Sequence, residues 1–248
     1  YVRNPPISLL NGCNVCFINC VLQIFYYISD VSERLDFCYL NGMKSPIVMA
    51  LKDIFYEISS PVPAVRTSKY FHRLKGDYNW TLGTQQDSNE FLINVLQDLY
   101  TKKNDDTNST TIGDLISNCP FNINVRRARQ CIDCTKHSEK YTYNSTLPLS
   151  VNSENPTSIQ KLVDECKHRQ EVVQYNCHEA DGEITNNTCQ GTERFQTEDI
   201  ISVSDYVIVQ LNLFAFDHIT LMQFKLKPDI EINHQITIAE TNMNLCGI

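Results

Sequence analysis

The apolar pattern of this 248-residue chain changes its period near residue 113. Before that point, apolar residues recur at spacings of three and four, which is typical of amphipathic helices. After it, short runs rich in β-branched and aromatic residues predict strands. The stretch 102–111 between the two halves has no apolar residue and indicates a mobile linker. We therefore expect an α+β chain with a helical part, 1–113, and a strand-rich part, 114–248.

Three helices are expected in the first part, with a weaker helical stretch at 68–74. Residues 14–29 are apolar on nearly all sides, which indicates a helix packed inside the fold. Ser45 and Pro46 supply an N-cap and a first-turn proline for the second helix. Asp87 and Glu90 lie in the first turn of the third helix, where the helix dipole favours acidic residues.

The second part is expected to hold one helix, at 158–166, and five strands, at 121–127, 141–151, 206–214, 223–226 and 235–239. The run Tyr206–Phe214 is long and β-branched enough to predict a central strand. The polar segment 177–197 predicts a loop or a hairpin tip.

Composition excludes several classes of protein. The chain has 29 acidic and 21 basic residues, a formal charge of −8, so it lacks the basic surface of a nucleic-acid binder. Its longest apolar stretch, 21–28, is far shorter than the roughly 20 residues that cross a membrane, and no signal peptide is recognisable. Eleven cysteines are an odd number, which argues against a full disulfide framework. Although four N-x-[ST] sequons occur, we expect an intracellular protein, cytoplasmic or nuclear.

Cys16 is the first candidate for chemistry because it stands at the predicted start of the first helix. Unpaired N–H groups there favour a thiolate and can donate to an oxyanion. Asn11 and Asn14, just upstream, are side-chain amide donors of the kind that holds a developing negative charge. Most cysteines in apolar surroundings are inert core residues. We expect this of three others: Cys13, Cys20 and Cys38.

Four segments in order resemble the signatures of one family, the ubiquitin-specific proteases. Residues 9–23, LLNGCNVCFINCVLQ, resemble its cysteine box, and residues 85–92, QQDSNEFL, resemble its second signature. Cys131-Ile-Asp-Cys134, followed by Leu147-Pro-Leu149, is similar to its first zinc knuckle. Residues 205–214 resemble its "LVIQLNRF" strand.

The resemblance implies a papain-like cysteine protease with an open-hand arrangement of helical thumb, mixed palm and β-sheet fingers. Such an enzyme cleaves after the C-terminal glycine of ubiquitin and requires no cofactor for catalysis. It implies that Cys16 attacks the carbonyl, that Asn11 stabilises the oxyanion, and that a histidine oriented by Asp or Asn deprotonates the thiol. Asp87 and Glu90 match acids near the basic tail of ubiquitin, although helix-dipole complementation alone would also explain them. The expected partners are ubiquitin and ubiquitinated proteins.

The family's histidine box, H-x-G followed by GHYxA, has no match among the six histidines, His72, His137, His168, His178, His218 and His234. The chain stops where that block should follow, so we interpret it as a catalytic domain that lacks the C-terminal part of the palm, the catalytic histidine and its Asp or Asn. We expect the piece alone to be inactive. The alternative is an inactive ubiquitin-binding scaffold of the same fold.

The cysteine box itself departs from the family pattern. Cys13 stands where the family usually has glycine, Val15 where it has threonine, and Cys20 where it has serine. A glycine usually meets a backbone requirement, so Cys13 affects the expected geometry of the loop. A metal triplet of Cys13, Cys16 and Cys20 does not match the common iron–sulfur spacings.

Structural zinc needs four ligands. Three cysteines fit that role: Cys131, Cys134 and Cys177. Ala180 occupies the position expected for the fourth, and either His178 or Cys189 could substitute. A metal-free hairpin and a zinc-ribbon interaction module remain alternatives to a zinc-bearing protease.

Overall fold

The structure, a computed structural model, describes the following residues: 8–43, 45–100, 119–134, 136–151, 155–174, 177, 179–180, 183–184, 189–217 and 222–247. Within them the chain forms two compact units, residues 8–100 and residues 119–247. The predicted linker, 102–111, and the predicted boundary after residue 113 lie outside the described residues.

The first unit is mainly helical. Its elements are β1 (Ser8–Leu9), α1 (Cys16–Tyr27), α2 (Ser29–Leu40), α3 (Pro46–Ser59), β2 (Ala64–Val65), a 3₁₀ turn (Thr67–Tyr70), α4 (Phe71–Leu74) and α5 (Ser88–Tyr100). The three predicted helices and the weaker stretch are all present. The Ser45 hydroxyl accepts a hydrogen bond of 3.1 Å from the Val48 N–H, as the predicted N-cap requires.

The helix α2 is absent from the sequence-based prediction. It buries only Val31, Leu35 and Cys38, because most of its other positions are polar or charged. So narrow an apolar stripe gives a weak helical signal. In contrast, α1 buries six of its twelve residues and packs against α2 and α5.

The second unit is strand-rich. Its elements are β3 (Ile123–Cys131), β4 (His137–Asn144), β5 (Leu147–Ser150), β6 (Thr157–Ser158), α6 (Ile159–Cys166), β7 (His168–Gln174), β8 (Glu179–Ala180), β9 (Glu183–Ile184), β10 (Glu193–Val203), β11 (Val209–Asn212), β12 (Phe214–Asp217), β13 (Met222–Lys225), β14 (Ile230–Glu231), β15 (Gln235–Ile238) and β16 (Thr241–Asn244). The largest sheet is antiparallel, in the order β4-β3-β10-β7.

The core of this unit lies around α6, which packs against β5 and β15. Leu162 and Val163 of the helix are buried together with Leu149 and Ile238. The helix begins where the sequence predicts, and the Ser158 hydroxyl caps it by accepting from the Lys161 N–H at 3.2 Å. The same core includes Ile123 and Val125 of β3, so the four-stranded sheet contributes one end to it.

Three predictions for the strands are wrong. The run 141–151 is not one strand, because β4 ends at Asn144 and β5 begins at Leu147 in another sheet. The run Tyr206–Phe214 is not one central strand: it divides into β11, which pairs with β5, and the start of β12, which pairs with β13. The segment 177–197 is not all loop, because β10 begins at Glu193 and lies at the centre of the four-stranded sheet. The inward-facing positions of β10 near its start are Arg194 and Gln196. Polar residues at buried positions hide the alternation that identifies a strand.

Candidate active site and metal centre

The backbone of the segment before α1 is left-handed at two consecutive residues, Cys13 with φ of 65° and Asn14 with φ of 55°. Glycine adopts this conformation without strain, and asparagine adopts it more readily than most residues. The expectation that position 13 carries a backbone requirement is therefore confirmed. Cys13 meets it at the cost of strain.

Hydrogen bonds fasten this segment on both sides. Strand β1 pairs in parallel with β2, and the Asn19 amide of α1 donates to the Leu9 carbonyl at 3.4 Å. The Thr67 hydroxyl, fully buried, donates to the Asn19 side-chain oxygen at 2.5 Å. On the other side, the Asn14 amide donates to the Gly83 carbonyl at 2.7 Å. The loop that leads into α1 is thus held at both of its ends.

Cys16 is the first residue of α1 and is exposed. Val15 at the N-cap has no side-chain hydrogen bond to the helix, so the first-turn N–H groups have no side-chain cap of their own. The next residue, Phe17, packs edge-to-face on Trp80 and Phe91, with ring centroids 5.5 Å and 6.2 Å away. Trp80 also stacks on Tyr78 at 4.6 Å. This aromatic cluster anchors the end of α1 that presents the Cys16 thiol.

Three other cysteines were expected to be inert core residues. Cys38 is a buried core residue as expected, but Cys13 and Cys20 are exposed, so the prediction for them is wrong. Cys20 lies one turn after Cys16, on the same side of α1, because residues four apart share a helix face. Desolvation of its sulfur raises the pKa of Cys20 despite hydrogen bonds with Val21 and Ser88.

The two predicted amide donors have different surroundings. Asn14 already donates to Gly83, which gives its amide a structural role. Asn11 is exposed, and no hydrogen bond of its side chain is found within the described part of the chain. Donation by the Asn11 amide to an oxyanion remains a prediction.

Asp87 acts as the N-cap of α5. Its carboxylate accepts from the Asn89 N–H at 2.8 Å, and its carbonyl accepts from the Phe91 N–H at 3.2 Å. Glu90 lies in the first turn of α5; burial, and then the charge of Glu90, raise the pKa of Tyr78. Both acids therefore have local roles at the N-terminus of α5. Contact with a basic peptide remains a prediction.

The structure brings no histidine into hydrogen-bond contact with Cys16 among the residues it describes. His72, the histidine within residues 8–100, lies in α4 with its ring against Phe71 at 6.0 Å. His178 and His218 are outside the described residues.

The second unit holds four cysteines whose sulfur atoms all lie within 4.8 Å of one another: Cys131, Cys134, Cys177 and Cys189. Two sulfur pairs are closer still, Cys131–Cys189 at 3.9 Å and Cys134–Cys177 at 3.6 Å. A tetrahedral zinc–thiolate site with Zn–S bonds of about 2.3 Å has sulfur–sulfur edges of about 3.8 Å. The donor type, the number of donors and their spacing therefore fit a structural zinc ion.

The four-stranded sheet forms this cluster because two of its strand connections lie at the same end of the strands. Cys131 ends β3 and Cys134 lies in the connection to β4, whereas Cys177 and Cys189 lie in the connection from β7 to β10. The Cys177 N–H donates to the Gly191 carbonyl at 2.8 Å, which ties the second connection together. Cys189, one of the two residues that the sequence offered as a fourth ligand, lies in the cluster, and the other, His178, lies outside the described residues.

Gly191 allows the two connections to approach closely. A Cβ atom at this position would lie 2.6 Å from an Asp133 carboxylate oxygen and 2.9 Å from the Cys131 sulfur. Real Cβ atoms do not come so close to other atoms. The Gly191 N–H also donates to the Cys189 sulfur at 3.4 Å, an interaction that favours a thiolate.

The thiols of the cluster do not ionise alike. Burial opposes ionisation of Cys131, but hydrogen bonds from the Asp133 backbone and from the Cys177 and Cys134 thiols outweigh it and lower its pKa to about 7. Burial, and then the neighbouring thiols, raise the pKa of Cys177 to about 12. Zinc ligands must be deprotonated, so binding of a cation would release the protons that these thiols hold.

Sequence reasoning named Cys189 only as one of two substitutes. Cys189 lies 12 residues after Cys177, so the two do not form a CxxC pair. The strand that follows Cys189, β10, places it beside the end of β3, but the polar residues of β10 hid that strand in the sequence. The glycine at 191 was the available signal, because glycine is favoured where a backbone must approach other atoms closely.

Comparison with known proteins agrees with the sequence signatures. Residues 7–245 match the sequence profile of the ubiquitin carboxyl-terminal hydrolases. A curated relative, ubiquitin carboxyl-terminal hydrolase 12 of Salmo salar, is 28% identical over 183 residues, which cover 64% of this chain and 49% of the relative.

A solved structure shows the same fold. It is titled as the SAGA Ubp8/Sgf11/Sus1/Sgf73 DUB module bound to ubiquitin aldehyde, and it matches with a TM-score of 0.65 at 18% identity. The match covers 94% of this chain and 52% of the other. The fold is therefore the papain-like fold predicted from the sequence. The chain spans about half the length of the relatives it matches. No helix in the described ranges is long and apolar enough to cross a membrane.

Proposed function

The chain belongs to the ubiquitin carboxyl-terminal hydrolase family, and we propose that it is the part of a thiol-dependent deubiquitinase that supplies the nucleophile, Cys16. The observation on which this rests is the exposed Cys16 thiol at the start of α1, in a turn without a side-chain cap. In the proposed reaction the Cys16 thiolate attacks the carbonyl carbon of the C-terminal glycine of ubiquitin. The bond from that carbon to the amine of the modified protein then breaks, the amine leaves with a proton, and a thioester remains. Water hydrolyses the thioester, which releases the carboxylate of ubiquitin and the Cys16 thiolate.

The residues around Cys16 support this role. First-turn N–H groups of α1 and the exposed amide of Asn11 are donors for the oxyanion of the tetrahedral intermediate. An aromatic cluster holds the N-terminal end of α1 in place, and with it the N–H donors of the first turn. The cluster consists of Phe17, Tyr78, Trp80 and Phe91. We further propose that Asp87 and Glu90 contact the basic tail of ubiquitin. The capping bond of Asp87 uses its Oδ1 atom, so its second carboxylate oxygen can accept from the tail.

The general base is proposed to be a histidine beyond the 248 residues, since none of the six histidines stands in an H-x-G or GHY sequence. We infer that these 248 residues alone do not catalyse the hydrolysis. A ubiquitin-binding scaffold of the same fold is the alternative, and the strained Cys13 in place of glycine favours it.

A zinc ion is proposed at the four cysteines of the second unit, where it would tie the β3–β4 connection to the β7–β10 connection. Its contribution is structural, because all four positions of a tetrahedral site would be filled by protein sulfur. A catalytic zinc site keeps one position open for water or substrate. The proposed reaction therefore uses no metal.

A ubiquitin probe with a C-terminal electrophile tests the function. The longest natural form of the protein and the 248-residue chain are each treated with it, and covalent adducts are located by mass spectrometry. Labelling of the long form at Cys16, with loss of the adduct in Cys16→Ala, is the expected result. Cys20→Ala is the matched control, because Cys20 is also exposed and lies one turn away on α1.

Binding measurements separate the two candidate functions. Cys16→Ala is expected to abolish labelling and leave ubiquitin affinity nearly unchanged. Ubiquitin binding by the long form without any labelling would favour the scaffold. A protein that neither binds nor is labelled would contradict both.

A further inference from the structure

Arg194 is among the most completely buried side chains in the described part of the protein, with 2% of its surface exposed. Burial of a guanidinium is costly unless negative charge lies nearby. A protein that keeps a cation in its interior therefore has a use for that charge. The surroundings of Arg194 indicate which use.

The register of the sheet places Arg194 beside the four-cysteine cluster. On one side its Cα partner is Cys131, the last residue of β3, and on the other it is Val173 of β7. Its guanidinium Nη2 donates to the carbonyl oxygen of Cys177 at 3.1 Å. Arg194 therefore contacts or faces one cysteine from each of the two connections that form the cluster.

The charge of the cluster changes when a metal binds. Four thiolates around one divalent cation carry two net negative charges in a partly buried place. A fixed positive charge beside the cluster therefore favours its loaded, doubly negative form.

We propose that Arg194 is a positioning residue for the metal centre: it offsets the charge of the loaded tetrathiolate cluster and holds the Cys177 backbone in place. This inference rests on the zinc site proposed above and assigns a role to a residue that is not a ligand. Outer-shell partners of metal ligands typically change metal affinity by ten- to a hundred-fold. The loss of Arg194 should fall in that range.

The test compares Zn²⁺ affinity, measured by competition with a chromophoric chelator, in the unaltered chain and in three variants. Arg194→Met, which keeps much of the volume without charge, should bind Zn²⁺ about ten- to a hundred-fold more weakly. Arg194→Lys, which keeps the charge, should lose less than about tenfold. Arg127→Met is the matched control. This substitution also removes one positive charge from the β3–β10 pair. However, Arg127 forms an ion pair with Glu198 and lies four residues before Cys131. The Zn²⁺ affinity of Arg127→Met should therefore stay within about threefold of that of the unaltered chain.

Unfolding of the chelator-treated proteins separates a role at the metal from a general role in the fold. Without metal, Arg194→Met should be as stable as the unaltered chain or more stable, because methionine fills much of the same volume and costs less to bury than a guanidinium. Spectra of the Co²⁺-loaded forms should remain those of four-sulfur tetrahedral coordination.

Three results would overturn the inference: unchanged Zn²⁺ affinity in Arg194→Met, an equal loss in Arg127→Met, or a metal-free Arg194→Met chain destabilised as much as the loaded one. Equal losses in Arg194→Lys and Arg194→Met would also reject charge as the cause. Failure of the unaltered chain to bind Zn²⁺ or Co²⁺ would overturn the metal site itself, and the role of Arg194 with it.

Discussion

The side-chain amide of Asn14 donates a hydrogen bond of 2.7 Å to the carbonyl oxygen of Gly83, and both residues have positive φ angles, 55° and 97°. The bond joins the loop before Cys16 to the turn at Thr81–Thr84, which a 3.2 Å bond closes. The position of the Cys16 thiol thus depends on a contact between two left-handed backbone segments far apart in sequence.

Replacing Asn14 by Asp should loosen this connection. Aspartate tolerates the left-handed backbone nearly as well as asparagine but has no N–H to donate. We expect a loss of about 1 kcal/mol in unfolding free energy and slower labelling of Cys16 by the ubiquitin probe. Asn41→Asp is the control, because Asn41 makes a similar exposed bond to the Phe37 carbonyl at 2.8 Å, away from Cys16. Equal slowing of labelling in both variants would count against a role for Asn14.

Cys13→Gly is expected to stabilise the protein. A left-handed backbone costs a residue with a Cβ roughly 1–2 kcal/mol, and glycine removes that cost while adding flexibility to the unfolded chain. The net gain in unfolding free energy should be up to about 1 kcal/mol, measured by chemical denaturation. Cys13→Ala separates backbone strain from loss of the thiol, since alanine keeps the Cβ and should bring no gain. A gain of the same size in Cys13→Ala would disprove the strain explanation.

The helices were largely predictable because their signals are local. Ser45 and Pro46 act within one turn of α3, and the Ser158 cap does the same for α6. The geometry at Cys13 was also foreseeable, because a residue that replaces glycine inherits its φ angle. In contrast, α2 shows only a narrow buried stripe, so local pattern could not reveal it.

The metal centre depended on tertiary structure instead. Cys131 and Cys134 are recognisable from their CxxC spacing, but Cys189 joins them only because β10 returns beside β3, with Arg194 opposite Cys131. That strand is concealed by Arg194 and Gln196, which are polar and buried. Gln196 is accommodated inside because it accepts from Arg129 at 2.7 Å and donates to Glu171 at 3.0 Å, across three strands. Such a cross-strand network becomes visible only once the register is known.

Asn11→Ala should lower turnover of the long form by roughly ten- to a thousand-fold if its amide faces the oxyanion, since removal of one such donor typically has an effect of that size. The loss should appear in kcat, with KM and ubiquitin affinity little changed. Ubiquitin hydrolysis followed by fluorescence gives both constants. An unchanged kcat would remove Asn11 from the proposed mechanism.

Cys189→Ser should release the proposed zinc ion. Three thiolates and a hydroxyl form a much weaker site than four thiolates, because the hydroxyl does not ionise near neutral pH. Metal content measured on the purified chain should fall from about one zinc per chain toward zero. Cys166→Ser is the matched control, because Cys166 is a partly buried cysteine of the same unit that packs against the α6 core. Retention of a full equivalent of zinc by Cys189→Ser would exclude Cys189 as a ligand.

Gly191→Ala should weaken metal binding without unfolding the chain. The new Cβ would lie 2.9 Å from the Cys131 sulfur and 2.6 Å from an Asp133 oxygen. The Asp133 carboxylate can swing toward solvent, but the Cys131 sulfur cannot move without leaving the other three sulfur atoms. We therefore expect at least about a tenfold loss of Zn²⁺ affinity and a change of less than about 1 kcal/mol in the stability of the metal-free chain.

Gly12→Ala supplies the comparison for Gly191→Ala, because a Cβ at Gly12 would meet nothing closer than the Ser68 hydroxyl at 3.9 Å. It adds the same methyl group to the other unit and should leave Zn²⁺ affinity unchanged. If Gly191→Ala bound Zn²⁺ as tightly as the unaltered chain, metal binding would not require the Cys131 sulfur to lie so close to Gly191. The close approach of the two connections would then have no part in forming the metal centre.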